Sequence, residues 1–124
     1  MILVDSSGWI EFFTEGPLAN AYAGHLKDLA RVVTPTIVLY EVYKVIKRQR
    51  NEEQALTAVA QMGKARLVPL TDAIALTAAD VSLMYRVAMA DAIVYATAVA
   101  ESAKLVTSDA ALGALPGVLF LKKS

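Results

Sequence analysis

The chain alternates short, continuous apolar runs with longer helical segments, and this alternation restricts its possible folds more than any other feature. Five apolar runs are predicted to be strands: Met1–Val4, Arg31–Val33, Leu67–Leu70, Leu105–Val106 and Val118–Leu121. Strands that are apolar throughout are typical of a parallel sheet buried on both faces, because helices cover each side of such a sheet. The sequence therefore predicts an α/β fold, Rossmann-like in its layers, with a mainly parallel central sheet flanked by helices.

Helical periodicity and capping residues place helices between these strands. The predicted helices are a first one from a Ser6-Ser7 N-cap to Phe13, then Leu18–Ala30, Thr36–Arg50, one from a cap at Asn51 to Gly63, Thr71–Tyr85, Ala90–Ala103 and Ala110–Leu115. No internal repeat or linker interrupts the pattern, and 124 residues are enough for one compact core but too few for two. We therefore predict a single domain over residues 1–124.

Composition excludes several kinds of site. The chain has no cysteine, which rules out disulfides, zinc–thiolate sites and thiol nucleophiles. Its only histidine, His25, lies on a helical segment far in sequence from the acidic residues discussed below, and we expect it at the surface. Net charge is zero, so any binding of phosphate must depend on a local cluster of cations rather than on the whole molecule.

Hydropathy bears on location and assembly. Hydrophobic residues make up 56% of the chain and mean hydropathy is +0.48, which is high for a soluble domain. No apolar run reaches the roughly 18 residues of a membrane span, and the first residues lack the basic flank and apolar core of a signal peptide. We therefore expect a cytoplasmic protein, without a membrane association, whose surplus apolar surface is covered by a partner or a second copy of itself.

Four acidic residues lie beside apolar sequence that should be buried: Asp5, Glu41, Asp91 and Asp109. Asp5 and Asp109 follow predicted strands, and Asp91 and Glu41 fall within about one turn of predicted helix starts. The carboxyl ends of parallel strands and the starts of the helices around them meet at one edge of the sheet. The four carboxylates are therefore expected to converge in one acidic pocket.

An all-carboxylate pocket suits a hard divalent cation. Mg²⁺ or Mn²⁺ fits oxygen ligands of this kind, whereas zinc and copper do not. Such ions activate water and stabilise a departing oxygen on phosphorus, so phosphodiester hydrolysis is the reaction the residues favour. Ser6 and Thr107, with their neighbours Ser7 and Ser108, are expected to support the carboxylates by hydrogen bonds.

A purely structural role stays open for each acid taken singly. Asp91 would be favoured at a helix start by the helix dipole, and Asp109 is a good N-cap. Glu41 fits that interpretation less well, because it interrupts an apolar helix between Tyr40 and Val42. Two further acids, Asp72 and Asp80, are assigned to structure, the first as a capping residue after Thr71 and the second as solvent-facing.

Four motifs in order along the chain resemble the PIN domain, and most closely the VapC toxins of VapBC toxin–antitoxin pairs. The motifs are Ile2–Ile10, Pro35–Glu41, Ala90–Ala98 and Leu105–Asp109. The resemblance implies a metal-dependent endoribonuclease whose acidic positions are Asp5, Glu41, Asp91 and Asp109, with Thr107 at the hydroxyl position before the last acid. It also implies a homodimer, an RNA substrate and a VapB-like antitoxin that occludes the pocket. The sequence departs from many relatives at Ala110-Ala111-Leu112, where they carry another acid and a Phe.

Two other functions are compatible with the same fold. One is a non-catalytic module that binds a partner or RNA without cutting, although an intact acid set argues against it. The other is a housekeeping RNA-processing nuclease; a small antitoxin-like reading frame directly upstream would favour the toxin, and its absence would favour processing.

Substrate and partner surfaces are also predicted. Lys44 and Arg48 follow Glu41 on the same helical stripe and are the best phosphate-binding candidates, although a solvated helix face is an equally good interpretation. Trp9 with Phe12 and Phe13 would either line a groove for the antitoxin or belong to the core. Met62 and Met84 are expected to fill the core.

Overall fold

The structure is a computed structural model that describes residues 1–123, and Ser124, the last residue of the predicted domain, lies outside this range. Its centre is a five-stranded, all-parallel sheet with the order β3-β2-β1-β4-β5. The strands are β1 (Ile2–Val4), β2 (Val32–Pro35), β3 (Arg66–Val68), β4 (Lys104–Thr107) and β5 (Leu119–Phe120). The predicted parallel α/β architecture is therefore confirmed.

Seven α-helices connect the strands in the described part of the chain. They are α1 (Ser6–Phe13), α2 (Ala19–His25), α3 (Thr36–Gln49), α4 (Glu52–Met62), α5 (Asp72–Tyr85), α6 (Met89–Ala100) and α7 (Ala110–Gly113). A single 3-10 turn, Leu29–Arg31, precedes β2. In residues 1–123 no single helix has the length and apolarity to cross a membrane; α5 and α6 reach them only together, across a bend of 117°.

Strand order places a crevice between β1 and β4. From β1 the chain builds outward through β2 to β3, then returns to the other side of β1 for β4 and β5. The two strands adjacent to this reversal send their following loops in opposite directions, which opens a crevice at their carboxyl ends. Asp5 directly follows β1, and Asp109 follows β4 by two residues, so both lie at this position.

The core consists of the strands and the helix faces that pack on them. Leu3, Val4, Val33 and Val106 of the central strands are fully buried, as are Val38 and Val42 of α3. Strands this apolar need cover on both faces, and the helical crossovers between parallel strands provide it. Met62 is also fully buried, as predicted.

Several predicted boundaries are wrong by a few residues, each for a local reason. The N-cap of α1 is Asp5 and not Ser6-Ser7, because the Asp5 carboxylate accepts the hydrogen bond from the Gly8 amide. The second helix ends at His25 and not at Ala30, since Asp28 caps a separate turn. β3 ends before Pro69, which has no amide hydrogen for the ladder. α6 ends three residues before the predicted Ala103, where Ser102 takes a positive φ of 51°.

The burial of three side chains corrects one prediction, decides between two alternatives and adds a buried acid. Met84, predicted to fill the core, is 72% exposed on α5. Trp9 is 1% exposed and stacks on Phe13, so it belongs to the core and does not line a surface groove. Glu11 is buried, because its carboxylate accepts from the Leu18 amide at 2.9 Å and pairs with Lys123 at 3.1 Å. A carboxylate can be buried when its oxygens are satisfied in this way.

Candidate active site

Asp5 is the most deeply held of the four acids, with 3% of its surface exposed. One carboxylate oxygen accepts from the Ser7 hydroxyl at 2.7 Å and from the Gly8 amide at 3.3 Å, and the other accepts from the Thr107 hydroxyl at 2.7 Å. Burial raises the pKa of Asp5, and these three hydrogen bonds offset part of the rise. The carboxylate is therefore fixed in position from two strands at once.

Hydroxyl groups join the ends of β1 and β4 around Asp5. The Thr107 hydroxyl that donates to Asp5 also accepts from the Asp109 amide at 2.9 Å. Ser7 accepts from the Ser108 amide at 3.0 Å, and the Ser108 hydroxyl pairs with the Tyr22 hydroxyl at 2.7 Å. Residues about a hundred positions apart are thus held in one network, which positions both strand ends.

Gly8 is required by the closeness of this packing. A Cβ atom at this position would collide with the Tyr22 ring and with Val4. The missing side chain lets α1 lie against α2 while its amide caps Asp5. A larger residue would displace Tyr22 or Val4.

Glu41 faces the same crevice from α3. Burial raises its pKa, a hydrogen bond from Ser6 and the charge of Lys44 lower it, and the charges of Asp5 and Asp109 raise it further. Ser6 therefore supports Glu41, while its neighbour Ser7 supports Asp5. The positive charge that lowers the pKa of Glu41 belongs to Lys44, three residues further along α3.

Asp91 has the most clearly raised pKa of the four acids. It lies in the first turn of α6, and its pKa is raised to about 6 by burial first and then by the charges of Asp109, Asp5 and Glu41. A side-chain hydrogen bond with Asp109 also favours the proton on Asp91. Asp91 is thus surrounded by carboxylates that resist its ionisation.

Asp109 has both a structural and an electrostatic effect. Its carboxylate caps α7 by accepting from the Ala111 amide at 2.8 Å. Its charge raises the pKa of each of the other three acids. The capping role that the sequence left open is therefore present, and it does not remove Asp109 from the cluster.

Every pair among the four acids is close enough to interact through charge, so the structure brings Asp5, Glu41, Asp91 and Asp109 to one edge of the sheet, and their role as one site stays a prediction. Within residues 1–123 no three His, Cys, Asp or Glu side chains are already spaced as a complete metal-binding group, so an ion would have to draw these carboxylates together. The donor set still fits a hard divalent cation, because it consists of carboxylates beside hydroxyls and contains neither imidazole nor thiolate. Positive charge at this point would also relieve the repulsion that raises these pKa values.

The cations predicted to bind substrate lie along α3. Lys44 is close enough to Glu41 to lower its pKa, and Arg48 lies one turn further on, exposed. Neither forms an ion pair with a carboxylate in the part of the chain that the structure describes. Both are therefore available to a phosphate.

Sequence reasoning missed Tyr22 and gave Ser7 and Ser108 only a general role. Nothing near Tyr22 in the sequence indicates its hydrogen-bond partner Ser108, which lies 86 residues away. The signal for Ser7 was present: in Asp5-Ser6-Ser7-Gly8 the acid follows a strand and precedes a helix, which is a good N-cap position. Asp5 as the cap would have pointed to the hydroxyls around it.

The fold and the site together define a class of protein: a parallel α/β domain that carries four carboxylates where the strand order reverses. The sequence model of the PIN domain matches residues 2–118, so the chain belongs to the PIN domain family. No curated protein gives a significant match to it.

Solved structures share the fold at low sequence identity. A toxin–antitoxin complex from Klebsiella pneumoniae matches with a TM-score of 0.82 and 20% identity over 99% of this chain and 100% of that one. VapC20 of Mycobacterium tuberculosis, described as a toxin that cleaves the sarcin–ricin loop, matches with a TM-score of 0.78 and 20% identity over 95% and 97%. VapBC2 of Rickettsia felis, bound to a DNA fragment from its promoter, matches with a TM-score of 0.78 and 17% identity over 98% of each chain.

Proposed function

We propose that the protein is a metal-dependent endoribonuclease that acts as the toxin of a toxin–antitoxin pair. The observation that carries the proposal is the mutual electrostatic interaction of Asp5, Glu41, Asp91 and Asp109 at the reversal of strand order. Membership of the PIN family and the fold shared with VapC20 support the ribonuclease activity. An RNA substrate is consistent with the proposed action of the protein in the cytoplasm.

The four acids are proposed as ligands of Mg²⁺ or Mn²⁺. When bound, the ion supplies Lewis acidity at the scissile phosphate and lowers the pKa of water. Asp5 is held rigidly by Ser7, Gly8 and Thr107, so it gives the site one fixed carboxylate. Glu41 and Asp91 come from α3 and α6, and their carboxylates complete the proposed ligand set with Asp109.

Lys44 and Arg48 are proposed to bind the RNA backbone. Both lie on α3 beyond Glu41, so phosphates that flank the reacting one would meet positive charge there. Since the chain as a whole is neutral, this local cluster is the part of the surface that favours nucleic acid.

A VapB-like antitoxin is the proposed protein partner. The structural relatives include complexes described as toxin–antitoxin and VapBC. A groove of about 210 Å³ on this chain lies between the end of α1 and the α3–α4 pair, and Phe13, Ile46 and Ala58 are among its lining residues. Phe13 thus remains a candidate for the antitoxin contact, whereas Trp9 does not because it is buried.

The surplus apolar surface predicted from the sequence lies mainly on α5 and α6, and we assign it to a homodimer. Leu76, Leu83, Met84 and Met89 each expose more than two thirds of their surface. Beside them an apolar groove of about 330 Å³ is lined by Ala78, Met89 and Ala92 among others. Exposed apolar residues at this density are typical of a surface that another chain covers.

Leu83→Glu is expected to convert the dimer to a monomer, because a charge would replace an apolar side chain that is 82% exposed on this face. Light scattering coupled to size exclusion should give a mass near twice 13.3 kDa for the wild type and near 13.3 kDa for the variant. Leu56→Glu on α4, a residue 52% exposed, serves as the matched control and should remain dimeric. A dimeric Leu83→Glu variant would contradict the assignment of this face.

The function is tested by RNA cleavage with and without free metal, after any co-purified partner has been removed. Cleavage of structured RNA is expected with Mg²⁺ or Mn²⁺, to stop in EDTA and to return when metal is restored. Binding also has a direct signature, since a ligand at 100 times its Kd stabilises the fold by about 2.7 kcal/mol, which thermal unfolding detects. Cleavage that persists in EDTA would contradict the metal site. Absence of cleavage with either ion would favour the non-catalytic module.

A housekeeping RNA-processing nuclease is the second candidate, since the same acid cluster serves both. Expression of the protein without a partner separates them. A toxin arrests growth and a processing enzyme does not.

A further inference from the structure

Two tyrosines on α3 are paired with lysines one turn further along the helix. The Lys44 ammonium lies 3.4 Å from the Tyr40 hydroxyl, and the Lys47 ammonium lies 3.4 Å from the Tyr43 hydroxyl. Residues four apart are neighbours on a helix surface, so both pairs lie along the same side of α3. Neither pair is needed to hold the four acids in position.

The geometry of the Tyr40–Lys44 pair leaves the face of the Tyr40 ring open. Lys44 is 5.5 Å from the centre of the Tyr40 ring but only 3.4 Å from its hydroxyl. An ammonium closer to the hydroxyl than to the ring centre lies at the edge of the ring and not above its face. The aromatic face of Tyr40 is therefore accessible, and the side chain is 59% exposed.

The surroundings of Tyr40 combine apolar surface with positive charge. A shallow groove of about 310 Å³ between α3 and α4 is lined by Tyr40, Tyr43, Leu39 and Leu56 among others. The segment 36–50 carries four of the chain's twelve basic residues, Lys44, Lys47, Arg48 and Arg50, against one acid. Tyr43 is partly buried against the core, so Tyr40 is the more accessible ring of the two.

Lys44 connects Tyr40 to the acid cluster. Its ammonium contacts the Tyr40 hydroxyl, and its charge also lowers the pKa of Glu41. A nucleotide chain whose phosphate lies at the acids would therefore pass Lys44 and then reach the open ring.

We propose that Tyr40 is a stacking platform for a base of single-stranded RNA next to the cleaved bond, and that Lys44 binds the phosphate of the same nucleotide. Planar bases stack on exposed aromatic rings whatever their sequence, and cations beside the ring neutralise the backbone. The charge of the surroundings favours RNA over an apolar protein segment. This inference rests on the proposed nuclease function and names a substrate-binding residue for it.

The test measures binding of a short single-stranded oligoribonucleotide to the Asp91→Asn protein, which is expected not to cut it. Fluorescence anisotropy gives the affinity, and a 2-aminopurine base in the oligonucleotide reports stacking through quenching. Tyr40→Ala is expected to weaken binding about tenfold or more and to abolish quenching, because base–aromatic stacking is lost. Tyr40→Phe keeps the ring and should retain affinity within about twofold. Lys44→Ala should reduce the salt dependence by about one phosphate contact.

Tyr85→Ala is the matched control, because Tyr85 is also accessible, at 37% exposed, but lies on α5 against Tyr95. It should bind RNA as the parent does. Equal affinity of Tyr40→Ala and the parent would overturn the proposal and leave the α3–α4 groove to a protein partner. A Tyr40→Phe variant as weak as Tyr40→Ala would also overturn it, because the hydroxyl and not the ring face would then be responsible.

Cleavage measured in parallel on otherwise wild-type protein separates this proposal from the nuclease function. If Tyr40→Ala binds and cuts RNA normally, the stacking platform fails and the nuclease stands. If the wild type cuts no RNA while Tyr40→Ala still weakens binding, the nuclease fails and the platform stands. Absence of RNA binding by the parent overturns both.

Discussion

Asp91→Asn is expected to reduce RNA cleavage by about three orders of magnitude while making the metal-free protein more stable. Asp91 is the acid whose pKa its neighbours raise most clearly, to about 6, because burial and three other carboxylates oppose its charge. Asparagine has the same shape without the charge, so it removes both the proposed metal ligand and the repulsion. Electrostatic and Lewis-acid stabilisation of several kcal/mol corresponds to a rate factor on the order of 10³.

The gain in stability is expected to be about 1 kcal/mol at pH 7.5 in EDTA, since one pKa unit corresponds to 1.36 kcal/mol and solvent screens a partly exposed carboxylate. Cleavage is measured with Mg²⁺ and stability by calorimetry. Asp80→Asn is the control, because Asp80 is an exposed acid on α5 and its loss should change neither quantity. Unchanged cleavage by Asp91→Asn would remove Asp91 from the mechanism. A loss of stability would contradict the electrostatic account of the cluster.

The raised pKa of Asp91 determines how the stability of the metal-free protein depends on pH. The folded pKa of Asp91 is about 6 and the ordinary value is 3.8, so the folded state binds the proton more tightly than the unfolded state. The metal-free protein should therefore become more stable as pH falls from above 6 toward 4. Asp5 and Glu41 are shifted in the same direction, so Asp91→Asn should reduce this slope without abolishing it.

Asp5→Ala is expected to be about 2 kcal/mol less stable than Asp5→Asn, because both remove the charge but only alanine also removes the acceptors. The Asn side chain can still accept from the Gly8 amide and can donate to the Thr107 hydroxyl. Alanine leaves the start of α1 uncapped and the buried Thr107 hydroxyl without its Asp5 partner. Both variants should lose cleavage by a factor similar to that of Asp91→Asn.

Urea denaturation in EDTA measures the difference between the two variants. Equal stability would mean that the hydrogen bonds to Asp5 do not hold the strand ends together. Thr107→Val provides an independent check, since it removes the same hydrogen bond from the other side and keeps all four acids. It should lose stability as Asp5→Ala does and should retain more activity.

The contrast between these two acids shows how much of the site is readable from local sequence. Asp91 is an acid in the first turn of an apolar helix, and its place in the chain already made it a candidate. The position of Asp5 after a strand did the same, but its three hydrogen-bond donors were not predictable as a set. One of them, Thr107, is 102 residues away and becomes a neighbour only because β4 pairs with β1.

The ends of the helices also divide into those that local sequence predicts and those that it does not. The helix periodicity of α3 and α6 placed the ends of these helices to within a few residues, because periodicity is a local property of the sequence. The predicted end of α2 was wrong because Asp28 caps a separate turn. Helical periodicity alone does not detect such a cap. The predicted burial of Met84 was wrong, because an apolar residue on a helix can lie on a face that packs on the core or on a face that is exposed to solvent.

Sequence alone determined the parallel α/β layers and the four acids at strand ends and helix starts, since the burial of short apolar runs and the position of charge along the chain are local properties. Tertiary structure decided which acids meet, which hydroxyls hold them, and that Glu11 and Tyr22 are buried with the distant partners Lys123 and Ser108. The physical reason is strand order. The reversal between β1 and β4 brings together residues that the chain separates by about a hundred positions, and the pairing of strands depends on the packing of the whole core.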